Sequence, residues 1–228
     1  MFKESIDMTV TKEHVDHFWE NVVVKNFPDA KIKFKNKSIF MRILGLLLFF
    51  NPSFMSKFIT VIGNTIYVPN AAWMEKNYLG IIFTFSHEFI HMWDRAHVYT
   101  FFSLGYVSLQ FWALFSFTAC LAFINLWFLL CLSCLVFIAP WPSPWRTQIE
   151  ANGYAMTMYI RSITIDPWYN KEEGAQLLAE KHFASKQYYW MCRDKNKVTQ
   201  KLLNLYETLP QTHGGFNEVS QWVKIQLH

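Results

Sequence analysis

The sequence predicts a mainly helical domain with a small β-sheet, interrupted by an apolar helical hairpin. Three observations predict it. Residues 60–69 read as two short strands around Gly63-Asn64, a turn-forming pair. Residues 70–97, 146–161, 173–192, 195–209 and 217–226 read as helices, punctuated by Pro167, Pro210 and Gly214-Gly215. Residues 98–139 contain no Asp, Glu, Lys, Arg or His at all. At 228 residues the chain has room for one ordinary domain with an insertion. The expected organisation is therefore a discontinuous domain of residues 1–97 and 140–228 around a hairpin of residues 98–139.

The elements follow in chain order. The segment Met1-Phe2-Lys3-Glu4-Ser5-Ile6-Asp7 carries acids and no apolar core, so it does not read as a signal peptide. Lys31, Lys33, Lys35 and Lys37 alternate with Ile32, Phe34 and Asn36. Alternation puts the four lysines on one face, either a solvated strand edge or a contact with anionic lipid headgroups. Residues 39–50 are apolar but contain Arg42, and they are too few to span a bilayer. They predict an interfacial or core helix that stops at Asn51-Pro52. Asn70 is the expected cap of the helix that runs to His97.

The apolar run is enough for two short helices and too long for one, since a span takes about 20 residues. A reversal near Asn125 makes it a hairpin. Tyr99 and Tyr106 at one end, with Trp141 and Trp145 at the other, suit an interfacial aromatic belt. Pro140, Pro142 and Pro144 end the second helix. Arg95 and Arg146 flank the run, so the positive-inside bias places both ends in the cytoplasm. The expectation is a multi-pass membrane anchor in contact with lipid; the alternative is a hairpin buried in a larger assembly.

Composition agrees with apolar surface. Hydrophobic residues make up 52% and aromatic residues 18%, while charged residues, at 17%, fall below the usual quarter. The net charge of +4 is modest, and no dense Lys/Arg block interleaves with aromatics, which argues against nucleic-acid binding. Cys120, Cys131 and Cys134 lie in the apolar run and read, like Cys192, as small hydrophobes rather than a disulfide framework.

The chemistry centres on His87-Glu88-Phe89-Ile90-His91. On a helix, i and i+4 lie one turn apart on the same face, so both imidazoles aim at one spot. Zinc takes such converging nitrogens, with three protein ligands leaving one position for water. Glu88 reaches that water rather than the metal, which suits a general base. Chance matches to the motif in such a composition number on the order of 0.01.

Two residues compete as third ligand. Glu150, in Arg146-Thr147-Gln148-Ile149-Glu150-Ala151-Asn152-Gly153-Tyr154-Ala155, would bring a carboxylate from a separate helix. Small residues behind it permit close packing. His97 is six residues beyond His91 with the metzincin spacing, but Asp94 stands where that motif has Gly. In a continuing helix His97 lies about 9 Å along the axis from His91. His182 and His213 remain further candidates. Asp94 reads as a hydrogen-bond partner of a zinc imidazole or as a surface ion pair with Arg95 or Lys76. Tyr154, Tyr159, Arg161 and His213 are open as oxyanion stabilisers.

The order of strand, H-E-x-x-H helix, apolar hairpin, then a helix bearing Arg146, Glu150 and Ala151 resembles the membrane-embedded gluzincin peptidases of the HtpX and CAAX-prenyl-protease type. It is also similar to minimal gluzincin domains of phage and bacterial genomes. The resemblance covers about residues 60–161. It implies a zincin-like α+β fold, bound Zn2+, and metal ligands His87, His91 and Glu150 with Glu88 as base. That subgroup carries Glu-x-x-Ala-Asp after the third ligand, whereas Glu150-Ala151-Asn152-Gly153-Tyr154 lacks the Asp, so the carry-over stops at those four residues. The expected function is zinc-dependent hydrolysis of a peptide or protein substrate near a membrane. The rival is a catalytically silent zincin-fold protein with a structural role in a membrane or a virion.

Overall fold

The computed structural model describes residues 10–48, 51, 53–99, 105–106, 112–138, 141–164, 169–185 and 190–227. The expectations for residues 1–7 and for Pro52, Pro140 and Pro167 lie outside them. The described chain is mainly helical with one three-stranded sheet, as the sequence predicts. It divides into two compact units, the first comprising Met1–Met92, Met156–Tyr169 and Tyr206–His228, the second Trp93–Ala155 and Asn170–Leu205.

The first unit begins with α1 (Lys12–Phe18), which widens into a π-helical turn, Trp19–Val24. Val15, Phe18 and Val22 recur at helical spacing and are buried, with Val23 beside them. Strands β1 (Lys31–Phe34), β2 (Thr60–Ile62) and β3 (Thr65–Val68) pair in the order β1-β3-β2, β1 parallel and β2 antiparallel to the central β3. Gly63 turns β2 into β3 with φ 59°, which suits glycine at the first position of a two-residue turn. Ile66 and Val68 alternate onto the buried face of the sheet.

The lysine alternation ends early. β1 stops at Phe34, the chain enters a 3-10 turn, Lys35–Lys37, and Lys35 is fully buried. A common face of four lysines therefore does not form. After this turn, Ser38 caps α2 (Ile39–Leu47), accepting from the Met41 amide at 3.3 Å.

Asn70 caps a short 3-10 turn, Ala71–Glu75, rather than the long helix. That helix, α3 (Tyr78–His97), starts after Asn77, whose side chain accepts from the Gly80 amide at 2.9 Å. Within the first unit, Phe85 and Phe89 of α3 meet Trp19 and Phe27, both pairs with ring centroids 5.7 Å apart. Phe18 meets Trp222 edge-to-face at 5.0 Å. Trp222 belongs to α7 (Gly214–Gln226).

The second unit holds most of the apolar run, the start of α4 (Pro144–Thr164), α5 (Lys171–Leu178), a π-helical turn Ala179–Phe183, and most of α6 (Lys195–Thr212). Met191 closes the start of α4: its carbonyl accepts from the Ser143 amide at 3.0 Å and from Thr147 Oγ1 at 3.1 Å.

The apolar run forms two 3-10 limbs, Trp112–Phe123 and Leu126–Ile138, with the chain turning at Ile124–Asn125. Hydroxyls of Ser116, Thr118 and Ser133 each bond the carbonyl three residues back. The membrane expectation fails here. At a rise of about 2.0 Å per residue, limbs of 12 and 13 residues reach roughly 24–26 Å, short of a hydrocarbon core of about 30 Å. Among the described residues no helix is long and apolar enough to cross a membrane. The multi-pass anchor is withdrawn, and with it the cytoplasmic placement drawn from Arg95 and Arg146. Hydropathy registered how apolar the segment is, but not the length of helix it forms. Cys120, Cys131, Cys134 and Cys192 are all free thiols.

Candidate metal centre

Helix α3 is buried nearly all round at its middle. Ile82, Phe85, Phe89 and Ile90 are fully covered, and the polar neighbours Ser86, His87, Glu88, His91 and Asp94 are buried, none more than 9% exposed. A helix places residues four apart on one face, and His87 and His91 obey that rule with Nε2 atoms 3.0 Å apart. Their rings cross at 89° with centroids 4.6 Å apart.

This separation can be tested against a metal. Two nitrogens at about 2.0–2.1 Å from a tetrahedral zinc lie about 3.3 Å from each other. Opening the pair by a few tenths of an ångström is a small rotation of either ring, so the pair fits the ion.

Glu150 lies in the second turn of α4. One ligand atom each from His87, His91 and Glu150 all lie within 4.8 Å of one another, and all three side chains are buried. Two imidazole nitrogens and one carboxylate oxygen make a donor set suited to zinc, whereas calcium and magnesium take mainly oxygen. Glu88 stands outside this group of three. Its place next to His87 turns it about 100° around the helix, which suits a base rather than a ligand.

The other histidines occupy different roles. α3 continues through Asp94 without a turn, so His97 is exposed, stacked on Trp93 at 4.3 Å, its Nδ1 3.2 Å from the Trp93 carbonyl. His182 Nδ1 lies 2.8 Å from the Tyr154 hydroxyl. His213 caps α7, accepting from the Phe216 amide at 3.1 Å. Among the oxyanion candidates, Tyr159 packs on Phe216 and Arg161 stacks over Phe83 at 5.6 Å. Asp94 is fully buried and accepts from the Asn152 amide at 2.8 Å, so it is not a surface ion pair.

Two residues near the site escaped the sequence reading. Tyr106 donates its hydroxyl to Glu150 Oε1 at 2.5 Å. Lys35 is fully buried, its ammonium donating to the Phe54 carbonyl at 2.8 Å and sitting 3.8 Å from the centre of the Phe54 ring. Desolvation pushes Lys35 down to about 7, opposed by the attraction of Glu88. Nothing in the alternating lysines singles out Lys35, because its burial follows from where β1 ends. No protein-family model, curated protein or solved structure matches the chain.

Two outcomes are expected. Glu150→Ala should lower zinc affinity at least tenfold, since losing a ligand costs no less than losing a ligand's own hydrogen-bond partner. His97→Ala should leave affinity at the wild-type value; titration with a competing chelator reads both. The second concerns Lys35, whose folded value lies below its ordinary 10.5. The unfolded chain therefore binds more protons between about 7 and 10.5, and stability attributable to this residue rises with pH across that window. The melting temperature of Lys35→Met relative to wild type should be highest near pH 6 and fall by several degrees towards pH 10. A constant difference would contradict the buried-lysine account.

Proposed function

We propose that this protein is a zinc-dependent peptidase of gluzincin type, acting on a peptide or protein substrate. The observation that carries the reading is the buried His87–His91 pair, its Nε2 atoms 3.0 Å apart, with the Glu150 carboxylate beside it. A purely structural helix gains little from two imidazoles held face to edge at its buried middle. Burying such polar groups is costly unless they are satisfied. The resemblance of the sequence order to gluzincins supports the same assignment.

In this reading His87, His91 and Glu150 hold the ion, and Glu88 is the general base. Zinc, when bound, supplies a Lewis acid that polarises the scissile carbonyl and makes water more acidic. Glu88 takes a proton from the attacking water as its oxygen adds to the carbonyl carbon. It then passes that proton to the departing amine as the carbon–nitrogen bond breaks, so the carboxylate is regenerated.

The motif contains its own test. Glu88→Gln keeps size and hydrogen-bonding shape but removes the proton acceptor. Zinc content and melting temperature should stay at the wild-type value, while hydrolysis of a mixed peptide substrate falls by about 10² or more. His87→Ala should lose zinc and activity together. Equal hydrolysis by wild type and Glu88→Gln would sink the peptidase reading.

A further inference from the structure

Tyr106 belongs to the segment that reads in sequence as an anchor, yet it reaches Glu150. Gly105 and Tyr106 lie along the first turns of α4. A Cβ placed on Gly105 would sit 3.7 Å from Trp145 Cβ, an ordinary contact distance. One residue on, the Tyr106 ring lies 5.0 Å from the Arg146 guanidinium, within cation–π range. Its hydroxyl then donates to Glu150 Oε1. Arg146 and Glu150 are four residues apart, hence neighbours on one face of α4, and a single tyrosine spans them from ring to hydroxyl.

We propose that Tyr106 is a positioning residue for Glu150, holding one carboxylate oxygen so that the other is aimed at the ion. The proposal rests on the zinc-site reading given above. A glutamate has three rotatable side-chain bonds, and holding one oxygen removes much of that freedom before the metal arrives. Partners of this kind behind a ligand orient it and raise its effective affinity. Arg146 holds the phenol ring from its face, so Tyr106 is clamped at the ring as well as at the hydroxyl. Tyr106 thus ties the apolar insert to Glu150.

The experiment is a zinc titration against a competing chelator, using the full chain as wild type, Tyr106→Phe, Glu150→Ala and the double variant. Tyr106→Phe removes one oxygen and should lower zinc affinity 10–100-fold. The melting temperature without metal should change little. In the Glu150→Ala background the same substitution should change affinity no further, because the side chain it orients is gone. Cobalt substituted for zinc should give an altered visible absorption spectrum in Tyr106→Phe, a sign of changed ligand geometry that a merely structural role would not produce. If wild type binds zinc and Tyr106→Phe binds it equally well, the positioning role is overturned and the zinc site stands. An equal loss of affinity in both backgrounds would likewise overturn it, because the effect would then not pass through Glu150. Wild type failing to take up zinc would overturn the zinc site and this proposal with it.

Discussion

Between Ser86 and Asp94, helix α3 buries five polar or ionisable side chains, and the elements around it are arranged to meet that cost. Isolated charges in a low-dielectric interior are destabilising by several kcal/mol unless they are paired, hydrogen-bonded or metal-bound. Four of the five have a partner. Asp94 receives the Asn152 amide, Glu88 is attracted by the buried Lys35, and the two histidines face each other. Core aromatics such as Phe85 and Phe89 repay the cost on the other side of the same helix. A helix meant only for stability would carry leucines at these positions.

Lys35 illustrates how expensive that arrangement is. Its ammonium has a carbonyl and an aromatic face, both from Phe54, and still burial pushes it down to about 7. Desolvation wins over the attraction of Glu88. A lysine side chain usually avoids this by extending its head to water, and the 3-10 turn Lys35–Lys37 removes that option. The backbone turn at the end of β1 therefore decides the electrostatics of a residue far from it in chemical purpose.

What the sequence made legible was whatever depends on fixed geometry. His87, Glu88 and His91 follow from helical arithmetic alone, and Gly63-Asn64 marks a hairpin because few residues accept a positive φ. Glu150 was visible because Ala151 and Ala155, now fully buried, advertise a close-packed helix. The lysine alternation misled because period two holds only while the strand lasts. The apolar run misled for another reason. Hydropathy sums side-chain preference over a window, while crossing a bilayer depends on how far the backbone rises, and 3-10 limbs interrupted at Asn125 do not rise far enough. Tyr106 read as an interfacial aromatic because a tyrosine in an apolar segment gives no sign of which carboxylate it will meet. The bond from Asn152 to Asp94 needed the two helices to be seen together.

The three donors differ in how their positions are set. His87 and His91 share one helix, so their separation follows from backbone hydrogen bonding and rotamer choice, and it survives most changes elsewhere. Glu150 comes from a different stretch of chain, and its carboxylate sits at the end of a flexible stem. Its aim depends on side-chain contacts. Those contacts come from residues local to its own helix or laid along it: Arg146 under the phenol ring, and Tyr106 on Oε1. Two imidazoles given by secondary structure and one carboxylate given by side-chain packing make a proposed site whose weakest element is also its adjustable one. Sites built on regular elements hold their geometry better than sites on loops, and the exception here is the one place where a connecting segment intervenes. The pairing of His87 and His91 is thus inherited from helical periodicity, while in the proposed site the aim of Glu150 depends on a tyrosine that no motif contains.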